Sequence, residues 1–159
     1  LIDDLVVKLQ ARVTVVIGRG FGENQELAKI LDVLKCKDLV SLVYDTDNIA
    51  KLMASADFAV CSNGRTVFEL AHMSVPSVIL CQNERELDHD FSHGLEGLSL
   101  FGILTSEQQK YEFRNLLIEI LFDTTRLTDM GKSLSDINFR GGREKVMKLI
   151  NRHLFEQVS

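Results

Sequence analysis

The sequence lacks an apolar run near the ~20 residues that a membrane-spanning helix needs, so no transmembrane span is expected. It also lacks an excess of positive charge. The formal net charge is -5, which argues against a nucleic-acid partner or an anionic-membrane surface, because phosphates reward net positive faces. Cysteine is scarce: Cys36, Cys61 and Cys81 are odd in number and form no C-x-x-C pair. Cys61 and Cys81 end apolar runs and read as small buried hydrophobes in a reducing cytosol. The first residues do not read as a charged-then-apolar leader, so a cytoplasmic location is expected. There is no internal repeat, low-complexity tract or linker.

What remains is the profile of a soluble globular domain, 45% hydrophobic and 26% charged. At 159 residues one domain over 1–159 can bury a core of its own. The chain begins at Leu1 rather than Met, with its first strong element almost at once. It is therefore expected to be part of a longer chain, the second half of something larger.

Four short runs are continuously apolar and rich in β-branched or aromatic residues: 13–17, 39–44, 58–61 and 77–81. Continuous rather than alternating apolar character is what a strand covered on both faces shows. Between them lie helical stripes. Leu27, Ile30, Leu31 and Leu34 mark a helix over 24–35. Ile49, Leu52 and Met53 mark one over 48–55 behind Asp47 or Asn48 as cap. Val67, Phe68, Leu70 and Ala71 supply the buried side of one over 65–73. Alternating strands and helices predict an α/β fold, a Rossmann-like doubly wound parallel sheet. After residue 84 a polar loop runs into a short helix, and 98–104 reads as a last edge strand. Three further helices are expected: a long one capped by Ser106, then about 124–135 and 141–156.

In open α/β sheets ligands bind beyond the carboxyl ends of the strands. The loops there are 18–24, 45–48, 62–66 and 82–86. In "SNGRT", Gly64 lets backbone approach a ligand, Ser62 and Thr66 offer hydroxyls, and Arg65 adds a forked cation. A helix beginning there favours a phosphate. Glu69, one turn inside, could accept hydrogen bonds from ribose hydroxyls. The plainer alternative is that Ser62 or Asn63 caps the helix and Glu69 is a surface residue. The turn "GRGFG" has glycines at 18, 20 and 22, which is not G-x-G-x-x-G, so an NAD-binding Rossmann domain is disfavoured. His89 and His93 stand four apart without a third ligand at sensible spacing, and no H-E-x-x-H occurs, so no metal is expected. His89 follows a strand's carboxyl end and reads as a ligand-contacting or acid–base residue. No Ser/His/Asp or Cys/His group is evident; the catalytic residues are unknown.

The segment from Ala56 to Ser77, with "ADFAV", "SNG", "TVFEL" and "VPS" in that order, resembles the C-terminal domain of GT-B-type nucleotide-sugar enzymes. It is most similar to the UDP-sugar hydrolase of pseudaminic-acid biosynthesis and spore-coat-polysaccharide proteins, and more distantly to the lipid-II-forming N-acetylglucosaminyltransferase. The closing stretch 130–150 is also similar. The resemblance implies the C-terminal half of a GT-B fold, three layers αβα with extra C-terminal helices. It implies a nucleotide-diphosphate-sugar ligand, a UDP-sugar, in bacterial surface-polysaccharide or nonulosonic (sialic-acid-like) sugar synthesis, and no bound cofactor. Gly64, Arg65 and Thr66 would meet the diphosphate with Ser62 and Asn63 beside them, and Glu69 the ribose. Gly18, Arg19 and Gly20 would lie against nucleotide or sugar. Asn83, Glu84 and His89 are sugar or acid–base candidates. "NERE" followed by His89 is instead similar to domains appended to CMP-sialic-acid-type cytidylyltransferases. Glu84 and Glu86 would repel a phosphate unless Arg85 or Arg19 offsets them. The implied partner is an N-terminal domain, either the other Rossmann half, which carries the hydrolase's catalytic histidine, or a cytidylyltransferase. Alone this domain should not turn over. Alternatives are a non-catalytic accessory domain of a cytidylyltransferase and a UDP-sugar 2-epimerase relative; homo-oligomers fit any of these.

Overall fold

The computed structural model describes residues 2–18, 29, 32, 34, 36–137, 139 and 141–155. The helix expected over 24–35 lies outside the described residues apart from isolated positions. The fold is α/β, with parallel strands sandwiched between helices as in a Rossmann-like three-layer arrangement.

The chain opens with a helix that the apolar-run reading passed over, α1 (Ile2–Leu9). Its signal was present: Ile2, Leu5, Val6 and Leu9 fall at i, i+3, i+4 and i+7. Val6 is buried. Strand β1 (Val13–Ile17) pairs in parallel with β2 (Val40–Tyr44), Val13 opposite Val40 and Ile17 opposite Tyr44. Helix α2 (Ile49–Ala54) follows. Asn48 occupies its cap position without a side-chain cap; Thr46 Oγ1 instead accepts from the Asn48 N–H at 3.0 Å.

A second parallel ladder has the order β3–β4–β5, from β3 (Ala59–Cys61), β4 (Ser77–Cys81) and β5 (Leu98–Ile103). Helix α3 (Thr66–His72) crosses from β3 to β4. Helix α4 (Glu84–Leu87) and a single 3₁₀ turn, Asp90–Ser92, cross from β4 to β5. Strand β4 is central and shows why its run is continuously apolar. Val78 faces Phe113, Leu117 and Ile120 of α5 (Glu107–Phe122), while Ile79 faces Val67 and Ala71 of α3. Both are fully buried.

Helix α6 (Thr124–Ser135) closes the edge, giving Met130 to the first cluster and Leu134 to the second. At the β4–β5 bulge Leu80 pairs with Gly102, whose φ of 107° suits glycine alone. Phe101, freed from pairing, packs edge-on against Phe113 at 5.1 Å. Helix α5 begins where its sequence signal put it: Ser106 and Gln109 form a reciprocal capping box. The last helix is α7 (Gly142–Phe155). Its described side chains are exposed, Val146, Met147, Leu149 and Ile150 among them.

Among the described residues no helix is long and apolar enough to cross a membrane.

Candidate functional site

Strands β3 and β4 run in parallel, so the segments leaving their carboxyl ends emerge side by side. Out of β3 comes Ser62-Asn63-Gly64-Arg65; out of β4 comes Gln82-Asn83 and then α4. Asn63 ties the two together. It is fully buried, and its Nδ2 donates to the carbonyls of Glu86 at 2.8 Å and His89 at 2.9 Å. In return, His89 Nδ1 lies 2.8 Å from the Asn63 carbonyl. Since a carbonyl can only accept, Nδ1 carries the proton and donates. A residue expected at the ligand is thus the pin between two loops. Its Oδ1 meets no hydrogen-bond partner among the described residues.

The pin leaves its neighbours presented outward. A Cβ built on Gly64 would meet nothing nearer than Ser62 Oγ at 3.9 Å, so the turn's backbone is open to approach. Gly64 N–H donates to the Ser62 carbonyl at 2.9 Å, and Val67 N–H to the Gly64 carbonyl at 3.1 Å, which turns the chain into α3. Arg65 stands at the cap position without capping by its side chain; it and Glu69 are exposed, one helical turn apart. Ser62 and Thr66 are partly buried.

The other candidates divide. Asn83 is a helix cap: its Oδ1 accepts from the Glu86 N–H at 3.2 Å. Glu86 folds back, its Oε2 accepting from the Gln82 N–H at 3.0 Å. "NERE" carries the cap signal of Asn with Glu three residues later, so this role was readable. Glu84 is exposed on the first turn of α4. Gly18 follows β1, and the β1–β2 ladder brings it beside Asp45, whose N–H donates to the Ile17 carbonyl at 3.0 Å. Arg19, Gly20 and Gly22 lie outside the described residues.

Phe91 was missed, and Phe68, expected on the buried side of its helix with Val67, Leu70 and Ala71, is instead exposed. Phe91 packs tilted against the His89 ring at 4.8 Å and edge-on against Phe68 at 5.4 Å. The three rings form a wall beside the turn, with Phe68 exposed. Spacing could not have found it, because Phe68 and Phe91 belong to separate crossovers. Among the described residues no three His, Cys, Asp or Glu side chains group as a metal site would require.

Cys61 precedes the turn and invites a test as nucleophile. Burial, and then the Glu86 carboxylate, push its thiol from 9.0 up to about 12. The same two causes raise Cys81. A thiol held protonated is a poor nucleophile. Cys61 in the folded protein should therefore resist iodoacetamide at pH 8 and react once urea unfolds the chain, as mass spectrometry of the labelled peptide would show. The sign of the pH dependence follows. Above pH 9 the unfolded thiol releases its proton while the folded one keeps it, so stability falls as pH rises towards 12. Urea midpoints at pH 8 and 10 should fall less for Cys61→Ser than for the parent chain.

Comparison with known proteins gives little beyond this geometry. No protein-family model matches the chain, and no solved structure matches it. An uncharacterized protein of Methanocaldococcus jannaschii, MJ1062, is 35% identical over 81 residues, half of this chain. The matched segment spans 17% of that protein's length.

Proposed function

We infer that the turn Ser62–Thr66 holds the diphosphate of a nucleotide-sugar, and that the chain is the nucleotide-binding half of a GT-B-type hydrolase or glycosyltransferase-like enzyme. One observation carries the reading. At the carboxyl end of β3, the buried Asn63 fixes a turn whose next two residues are an unobstructed glycine and an exposed arginine. An exposed guanidinium beside a turn whose backbone a ligand can approach closely is suited to phosphate oxygens. Glu69 lies a turn further on, an acceptor for ribose hydroxyls. The Phe68–Phe91–His89 wall offers a face for a ring.

The alternative is an accessory domain of a CMP-sugar cytidylyltransferase that keeps the fold without the ligand. The exposed apolar residues of α7 favour packing against further protein, which both readings include. Calorimetric titration with UDP, with CMP and NAD as controls, separates the two. Saturable UDP binding, weakened about tenfold or more in Arg65→Ala through loss of a charge-assisted contact and likewise lost in Glu69→Ala, supports the nucleotide site. No heat with any nucleotide from a folded sample sinks it in favour of the accessory domain.

A further inference from the structure

The Asn63–His89 pin divides the site by hydrogen-bonding sense. On the side of the turn stands a donor, the exposed Arg65, beside Gly64, whose missing side chain leaves room for close approach. On the side of α4 stand acceptors. Because His89 Nδ1–H is committed to the Asn63 carbonyl at 2.8 Å, the neutral ring has its lone pair on Nε2. Phe91 packs against that ring at 4.8 Å, so its plane is held as well as its edge. Around it the segment is rich in carboxylates: Glu84, Asp88 and Asp90 are exposed, with Glu86 turned back to Gln82. Arg85 is exposed among them, one cation against four carboxylates over 84–90, so the balance of charge still disfavours an anion. A group that donates hydrogen bonds would be welcomed.

We propose that His89 Nε2 is the hydroxyl-reading atom of this site, accepting a hydrogen bond from the sugar carried beyond the diphosphate. The inference rests on the nucleotide-sugar reading above and deepens it. It assigns the acidic stretch 84–90 to the hydroxylated end of the ligand and the turn 62–66 to the phosphate end. Asn63 is then a positioning residue: its amide holds the carbonyls of Glu86 and His89, and its own carbonyl selects the imidazole tautomer. A fixed tautomer sets the sense of the bond: Nε2 takes the hydroxyl's proton, whereas the other tautomer would present N–H and pair only with the hydroxyl's oxygen.

The test uses the 159-residue chain labelled with nitrogen-15 in its histidines, with His89 assigned by comparison with His89→Phe. Long-range proton–nitrogen spectra of the free protein should show His89 protonated at Nδ1. A ring protonated at Nε2 overturns the proposal whatever binds. Calorimetry then compares UDP with UDP-N-acetylglucosamine in the parent chain and in His89→Phe, which keeps a ring against Phe91 but removes the lone pair. The substitution also removes the bond to the Asn63 carbonyl, so the ratio of the two ligands within each protein is what is read. The sugar should improve affinity about three- to tenfold in the parent, the value of one hydrogen bond. That ratio should fall to about one in His89→Phe, and the Nε2 resonance should shift with UDP-N-acetylglucosamine more than with UDP. If UDP binds and the sugar adds nothing, or its advantage survives in His89→Phe, this inference fails and the nucleotide site stands. If neither ligand binds the folded parent chain, the nucleotide reading itself has failed and this inference goes with it.

Discussion

Gly97→Ala is expected to lower the melting temperature by roughly 10 °C, a loss of about 3 kcal/mol, through the addition of one methyl group. Gly97 lies immediately before β5, where α6 crosses the sheet edge. A Cβ there would stand 2.2 Å from Leu134 Cγ and 2.4 Å from the Met130 carbonyl oxygen. Neither neighbour can yield cheaply. Leu134 is buried in the cluster with Val67, Ala71, Ile79 and Leu98, and the Met130 carbonyl belongs to the helix backbone. The helix must therefore move as a unit, away from both clusters it joins. The Gly97 carbonyl also accepts from the Ser77 N–H at 3.3 Å, so the strain reaches the start of the central strand. Gly142→Ala is the control. Nothing lies within 4 Å of its Cβ position, and at the start of α7 it should be neutral or slightly stabilising. Thermal and urea unfolding of the two variants decide the matter. Equal stabilities would mean that α6 does not press on Gly97 as described.

This contact shows what the sequence could and could not reveal. The bounds of β1 and β4 were legible residue for residue. Strand β4 bears out the reason, since a strand buried on both faces must be apolar throughout, as Val78 and Ile79 are. In β1 the same apolar run leaves Thr14 and Val16 exposed. The start of α5 was legible because a capping box is a local chemical signal. Contacts that depend on two distant segments were not. Nothing local marks Gly97 as the point beneath Leu134, 37 residues on, or Asn63 as the partner of His89, 26 residues on. The grouping of strands into a β1–β2 ladder and a β3–β4–β5 ladder was equally hidden, because the strands of both read alike. Within the candidate site, strand ends pointed to the loops of β3 and β4 that the parallel ladder brings side by side, and in them Gly64 is open while Arg65 and Glu69 are exposed. Residue type alone did not show that Asn63 pins two loops and that Asn83 caps α4. An asparagine looks the same whether its amide awaits a ligand or satisfies backbone, and only burial and partners separate the two.

Asn63→Asp is expected to be the more revealing substitution, because it changes one atom and no shape. Nδ2 stands between two carbonyl oxygens, at 2.8 and 2.9 Å, so the amide orientation is set: only the NH₂ end can face them. An aspartate puts a carboxylate oxygen in that place, buried and facing two acceptors. The cost should be about 3 kcal/mol or more at neutral pH, beyond the roughly 1–2 kcal/mol of Asn63→Ala, which leaves the two carbonyls unpaired without adding a repulsion. The pH dependence identifies the cause. Burial and the facing carbonyls raise the new carboxyl above its unfolded value of about 3.9. A group raised in the folded state has its favourable contribution in full below the unfolded value and loses it as pH rises through the folded one. Protonated, the carboxyl can donate to one of the carbonyls and recover part of the pin. The deficit of Asn63→Asp relative to Asn63→Ala should therefore be large at pH 7.5 and shrink at pH 4, in urea midpoints measured at both. A difference that ignores pH would mean that the amide does not hold these carbonyls. A difference that follows it would show that one buried side chain joins the loops of β3 and β4, and that the orientation of Gly64, Arg65 and His89 depends on it.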